Sequence, residues 1–277
     1  MTAHHIANRL ETIRFKQPWL VLGAANTFSL ACPENPTISH CYSFEASDSE
    51  APTIAIPDGC VEVLFDCGNS DASAKVYGTP MSAMDTGIQS GHRYFGVRFV
   101  SGAIPACMQA SAEEIVNHQF NFVDVVPHAH QLVESIINSN DFCDQVACFK
   151  RFFDKTTARP LSQLTQSMVS IIVARKGNVR IDELALATGY TTRTLQRQFR
   201  ADIGMSPKAF SRIVRCQSAV YCINHCDDVD FLDMACTLGY SDQSHFLREF
   251  KKCVQVTPMA YQKQVKQQSY LDRIQFF

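Results

Sequence analysis

Two periodicities divide this chain. Over its first half, apolar and polar residues alternate in short runs: Thr53–Pro57 and Cys60–Asp66 lie around Pro57-Asp58-Gly59, and Ala74–Gly78 and Arg93–Val100 repeat the pattern. A period of two is that of a strand with one buried face, and Pro-Asp-Gly is turn chemistry. Ser111–Gln119 predicts a short helix, opened by Ser111 with Glu114 three residues on in capping-box spacing. From His130 to Asp154 the period becomes helical, with Leu132, Ile136 and Ile137 on one stripe and Val146, Phe149, Phe152 and Phe153 on another. Thr156–Ser162, which contains Pro160, interrupts it. Beyond lie predicted helices over Leu161–Lys176, Ile181–Thr188, Thr192–Ala201, Pro207–His225, Phe231–Leu238, Asp242–Lys252 and Pro258–Lys266. The expectation is an α+β chain: a small β-barrel or sandwich with flanking helices over residues 1–155, a linker over 156–162, and an all-α domain over 163–268.

The helical part repeats itself. Gly189–Phe199 reads GYTTRTLQRQF, and Gly239–Phe250 reads GYSDQSHFLREF. The glycines are 50 residues apart and the phenylalanines 51, so the second copy carries one extra residue, in the turn after Tyr240. In the first copy Ile181, Leu184 and Ala185 give a short helix its apolar face. Gly189 stops that helix, because glycine tolerates positive φ, and Tyr190 is expected to fill the corner. Thr191 or Thr192 caps a second helix whose Leu195 and Phe199 face the first. The second copy repeats the plan: Asp230 caps, Met234 and Ala235 pack, Gly239 stops, Tyr240 fills the corner, Ser241 or Asp242 restarts, and Phe246 and Phe250 face inward. This is helix-turn-helix punctuation. The outward faces carry Arg193, Gln196, Arg197 and Arg200 in the first unit, and Gln243, Ser244, Arg248 and Lys251 in the second. Arginine and glutamine suit bidentate reading of base edges, while other basic groups hold phosphates. The connecting helix is long enough to set two such helices into successive major grooves, which recur every ~34 Å.

Charge agrees with that reading. Residues 1–160 hold 10 Lys+Arg against 17 Asp+Glu, a net −7; residues 161–277 hold 15 against 10, a net +5. An anionic partner is therefore expected for the C-terminal part only. No apolar run is long enough to span a membrane, and the first residues lack the layout of a secretory signal, so a cytoplasmic location is expected. In that compartment the 12 cysteines, none in a Cys-x-x-Cys, are expected mostly as small buried hydrophobes.

The stretch Leu161–Lys266 resembles the AraC/XylS-type transcription regulators. LATGYTTRTLQRQF with GMSPKAF is similar to the family's first motif, and GYSDQSHFLREFKK with TPMAY to its second. The resemblance implies two helix-turn-helix units on adjacent major grooves. Arg193, Gln196 and Arg197 would be the readers of the first, and Gln243, Ser244, Leu247 and Arg248 of the second. Arg215 and Ala219 match an Arg and an Ala that the family carries on its connecting helix. Three departures stand out: Gln255 where a Gly is usual, apolar Leu247 on the reading face, and Arg180 in place of a small polar cap. IPDGCVEVLFD and GVRFVSGAIPACMQASAEEI resemble, more loosely, the cupin-like sensor domains attached to such regulators. That implies a ligand-sensing or dimerising β-barrel, hence a homodimer, a small-molecule effector, double-stranded DNA and RNA polymerase as partners, and the role of an activator or other transcription regulator. Cofactors are not expected.

Other chemistry finds less support. Arg93 and Arg98 are the candidates for holding an anionic effector, although their odd spacing on one strand puts them on opposite faces. His128, His130 and Glu134 are metal-ligand types, and a cupin-type metalloenzyme with a helical accessory domain is the alternative they raise. They open a predicted helix, however, which would turn the two histidines to different sides. Cys222, His225 and Cys226 lie on neighbouring turns of the connecting helix, where packing is the simpler role. There is no Gly-rich phosphate loop, Gly-x-Ser-x-Gly or His-Glu-x-x-His, so no enzyme is expected. An effector-free protein whose N-terminal half only dimerises is the third reading.

Overall fold

The computed structural model describes residues 25, 27–47, 53–68, 73–153, 158–226, 228–267 and 273–277. The leader reading at residues 1–15 and positions 154–157 and 268 of the expected boundaries lie outside the described residues.

The N-terminal half is built on one mixed sheet. Its strands are β1 (Phe28–Ala31), β2 (Ile38–Glu45), β4 (Glu62–Asp66), β5 (Ser73–Tyr77), β7 (Arg93–Phe99), β8 (Gln119–Asn121) and β9 (Ile274–Phe276). They lie in the order β8-β5-β4-β7-β2-β1-β9. Two-residue strands β3 (Ile54–Ala55) and β6 (Met84–Asp85) make a separate small sheet. The order has two ends, so among the described residues the expected cupin-like barrel is instead an open sheet; the α+β class stands. One face carries Val63, Phe65, Phe95, Val97 and Phe99, all buried. Helices cover that face where a sandwich would place a second sheet. They are α3 (His130–Ile137) and α4 (Phe142–Phe153), after the one-turn helices α1 (Ala112–Ile115) and α2 (Phe122–Val125). Phe149 stacks on Phe153 and meets Phe65 and Phe95 edge-on. Each such ring contributes roughly 1.5–3 kcal/mol by burial.

The helical stretch expected over His130–Asp154 consists of two helices, parted at residues 138–141, one for each expected stripe. Asp141 accepts from the Asp144 amide (2.9 Å) and so starts a new helix. Ser111 and Glu114 form the expected capping box, but the helix they open ends after one turn. β9 pairs in parallel with β1, which returns the C-terminal residues to the N-terminal sheet; the periodicity did not predict it.

Between residues 163 and 267 the described elements of the C-terminal half are all helices: α5 (Gln163–Ala174), α6 (Ile181–Thr188), α7 (Thr192–Ile203), α8 (Pro207–His225), α9 (Phe231–Thr237), α10 (Gln243–Val254) and α11 (Pro258–Gln267). It has two apolar centres. Met168, Ile172, Leu184, Leu195, Phe199 and Phe210 form the first. Val220, Met234, Phe246, Phe250 and Tyr261 belong to the second, together with Ile56 from the N-terminal half. Of the cysteines, 5 are buried, 4 half-buried and 3 exposed, and none is disulfide-bonded. Full burial is therefore less common than expected.

Candidate DNA-binding surface

Both units take the expected turn, with different neighbours. In the first, Gly189 closes α6 at φ +76°, and the Thr191 hydroxyl accepts from the Thr194 amide (3.2 Å) to start α7. Arg180 supplies no side-chain cap; its own amide is held instead by Glu183 (3.1 Å). In the second, Asp230 caps α9, Gly239 follows it at φ +72°, and the Asp242 carboxylate accepts from His245 N (2.7 Å) to start α10. That bond lowers the pKa of Asp242. Ser241 is the residue added to the turn.

The corner tyrosines differ. Tyr240 is 7% exposed, against Phe246 and beneath the Arg215 guanidinium, 5.0 Å from the ring centroid. Tyr190 is 53% exposed and does not fill its corner. Leu195 stands where the second unit has Phe246, so the first corner lacks that aromatic wall.

The expected readers Arg193, Gln196 and Arg197 all lie exposed on α7, and Gln243, Ser244, Leu247, Arg248 and Lys251 exposed on α10. Inward residues Leu195, Phe199, Phe246 and Phe250 are buried, so each helix presents its polar stripe outward. Arg200 is also exposed but engaged: its Nε lies 2.9 Å from Glu113 Oε1 of α1. Next to it, a Cβ on Gly204 would collide with the Ala112 carbonyl, so only glycine permits this approach of α7 to the N-terminal half.

Between the units runs α8, 19 residues and therefore about 28 Å long. Arg215, at its middle, was matched to the family from the sequence, but its work was not foreseen. It donates through Nη2 to the Gly177 carbonyl (3.1 Å), in the loop before α6, and through Nη1 to the Gly239 carbonyl (3.4 Å), in the turn of the second unit. One guanidinium thus ties both units to the strut. Ala219 is fully buried on the same helix. At the start of α5, Ser162 donates to Asp202 of α7 (2.6 Å). Burial would raise the pKa of Asp202, but bonds from Ser162, Thr165 and Gln198 hold it below the ordinary value.

The N-terminal candidates separate as alternation requires. Arg93 donates to Asn140 Oδ1 (2.6 Å) at the rim. Arg98 is buried between Asp58 (2.9 Å) and Glu62. Burial alone would lower its pKa, but the two carboxylates hold it above the ordinary arginine value. His128, His130 and Glu134 are exposed, with His128 in a left-handed turn at φ +64° before α3. His225 is held to the Tyr221 carbonyl (2.8 Å) and stacked on its ring. Among the described residues no helix is long and apolar enough to cross a membrane.

Residues 184–264 match the model of a helix-turn-helix domain, and residues 35–121 that of a domain of unknown function (DUF6597). An uncharacterized HTH-type transcriptional regulator of Haemophilus influenzae is 30% identical over 103 residues, covering 37% of this chain and 34% of that protein. The probable transcription factor PqrA of Proteus vulgaris is 32% identical over 89 residues, covering 32% of this chain and 72% of that protein. A solved transcriptional regulator of Chromobacterium violaceum, described as an AraC-type DNA-binding domain-containing protein, is 21% identical with a TM-score of 0.35 over 38% of this chain and 93% of that one. The chain thus spans about a third of the first relative's length and nearly three quarters of PqrA.

Proposed function

This chain belongs to the AraC-type helix-turn-helix regulators, and from that premise we propose that it binds specific DNA sequences and regulates transcription. The observation that carries the proposal is the pair of outward polar helix faces, Arg193/Gln196/Arg197 and Gln243/Ser244/Arg248, held on one strut by Arg215. Arg193, Gln196 and Arg197 read bases in one major groove, and Gln243, Ser244 and Arg248 in the next. Leu247 meets a thymine methyl, and Lys251 and Arg200 serve phosphates. The N-terminal half presents the DNA-binding half to its site, under the control of a small molecule. Homodimerisation and a contact with RNA polymerase belong to this reading and rest on the family resemblance alone.

Titration of the full chain with its own promoter region, by fluorescence anisotropy against unrelated DNA, tests it. Arg197→Ala and Arg248→Ala should each weaken specific binding by about 1–3 kcal/mol while leaving binding to unrelated DNA nearly unchanged. Equal affinity for promoter and unrelated DNA would overturn the proposal. Unchanged specific affinity in both variants would overturn the assignment of readers.

A further inference from the structure

The face of the N-terminal sheet turned away from α3 and α4 carries a feature that DNA binding does not use. Tyr77, Glu62, Arg98 and His40 stand in register across β5, β4, β7 and β2. Arg98 lies against Glu62 in this row and against Asp58 from the turn above it. All three charged residues are buried, and among the described residues Arg98 Nε has no hydrogen-bond partner. Two acidic side chains thus face one guanidinium that still has a donor to place. A buried ion pair is a poor source of stability, because desolvation offsets its attraction. Beside this group is a cavity of about 30 Å³, walled by Cys60, Leu64, Tyr77, Pro80, Met84 and Thr86. That is room for about two water molecules.

We propose that this cavity binds a small organic cation, a primary amine in its ammonium form that also carries an acceptor oxygen, and that its occupancy is felt by the DNA-binding half. The second part rests on the reading of the chain as a DNA-binding regulator; the first does not. An ammonium brings three donors and no acceptor, which suits the carboxylates of Asp58 and Glu62. An ether, hydroxyl or carbonyl oxygen takes the Arg98 Nε–H, and Leu64 and Met84 take the carbon stem. An anion would meet two carboxylates for one guanidinium.

The walls of the cavity continue into the other half of the molecule. Pro80, Met84 and Thr86 belong to a cover whose β6 joins β3 through only two residue pairs. The same cover offers the Met81 carbonyl to Arg212 (3.2 Å) and the Ala83 carbonyl to Gln255 (3.2 Å). On the opposite wall, next to Asp58, the Pro57 carbonyl accepts from Gln217 of α8 (2.6 Å), and Ile56 sits in the core of the second unit. A ligand larger than two waters presses on the cover, and any displacement of the cover moves the carbonyls holding α8 and the end of α10.

Calorimetric and melting titrations of the full chain with methylammonium, ethylammonium and 2-methoxyethylammonium, against propanol and acetate, test the site. The ammonium probes should bind and raise the melting temperature, the methoxy compound most, while propanol and acetate do neither. Glu62→Gln should abolish binding. Met84→Trp, which fills the cavity and leaves the charged residues in place, should abolish it in a protein that still melts cooperatively. The site is overturned if no ammonium probe binds up to millimolar concentration, if acetate binds in their place, or if binding survives both substitutions. Saturating 2-methoxyethylammonium should change the promoter Kd by about 5-fold or more. Amine binding with an unchanged Kd overturns the coupling alone. Amine binding by a chain that recognises no DNA sequence leaves the cation site standing and removes the reading of the chain as a regulator.

Discussion

The two helix-turn-helix units share their punctuation but not their surroundings. Each has a glycine in the left-handed region, a polar cap and two inward apolar residues one helical turn apart. Yet Tyr240 is buried under Arg215, whereas Tyr190 faces outward. α7 ends against α1, where Arg200 meets Glu113 and Gly204 meets the Ala112 backbone. α10 ends on Gln255, which reaches the cover of the N-terminal cavity. A repeated local pattern therefore fixes a turn and an outward face. What each unit docks against comes from residues far away in the chain.

The harshest way to break the comparison is to remove what the units share. Arg215→Ala deletes two charged-donor bonds to the carbonyls of Gly177 and Gly239 and the cover of Tyr240. It should cost about 3 kcal/mol in urea unfolding. Promoter affinity should fall roughly 10-fold or more, because two linked modules lose effective concentration once their spacing is no longer held. A loss of stability with unchanged promoter affinity would show that the strut alone sets the spacing.

Separating the two reading faces comes next. The first unit offers two arginines and a glutamine, the second mainly Gln243 and Arg248. Within the expected window of about 1–3 kcal/mol, Arg197→Ala should therefore cost more specific affinity than Arg248→Ala. The reverse order in anisotropy titrations would make the second unit the principal reader.

These contrasts mark what could be read from the sequence. Glycines, caps and inward apolar positions are local chemistry, so both turns and both reading faces were legible from spacing. Tyr190 was misjudged because its environment depends on a partner at the position of Leu195. The strands of the N-terminal half were visible where the alternation runs unbroken, as in β5, or where an apolar run follows a turn, as in β4. β2 was missed because polar His40 and apolar Cys41 at its middle interrupt the alternation that Ser39, Ser43 and Glu45 otherwise keep on one face. β9 is three residues long and gains its place from a strand 246 positions earlier. Alternation did foretell that Arg93 and Arg98 part company. It could not foretell Asp58 and Glu62, which reach Arg98 only through the turn at Gly59 and the pairing of β4 with β7. The barrel expectation failed because nothing local says whether a sheet's edges meet.

A gentler change sharpens the contrast at the end of α7. Glu113 and Arg200 are both about half exposed, so their pair contributes about 0–1 kcal/mol to stability. Its effect on DNA binding should be larger, because Glu113 competes with phosphate for Arg200 and adds negative charge beside the reading helix. Glu113→Gln should tighten promoter binding about 2–5-fold at low salt. It should also steepen the salt dependence by about one counterion, with little change in melting. An unchanged salt slope would mean that Arg200 does not reach the backbone and that its place is in the docking of α1.

The smallest expected effect lies at the end of α10, where Gln255 replaces the usual glycine. Its φ of +65° is a left-handed conformation that costs a side-chain-bearing residue ~1 kcal/mol relative to glycine. Against that, its side chain donates to the Ala83 carbonyl across the two halves, an exposed bond worth ~0.5 kcal/mol. Two substitutions separate the terms. Gln255→Ala keeps the strain and loses the bond, and should destabilise by ~0.5 kcal/mol. Gln255→Gly loses both, and should stabilise by about the same amount. If the glycine variant is instead the less stable one in urea unfolding, the bond to Ala83 outweighs the backbone cost. The second unit would then owe its docking to the residue that departs from the family pattern.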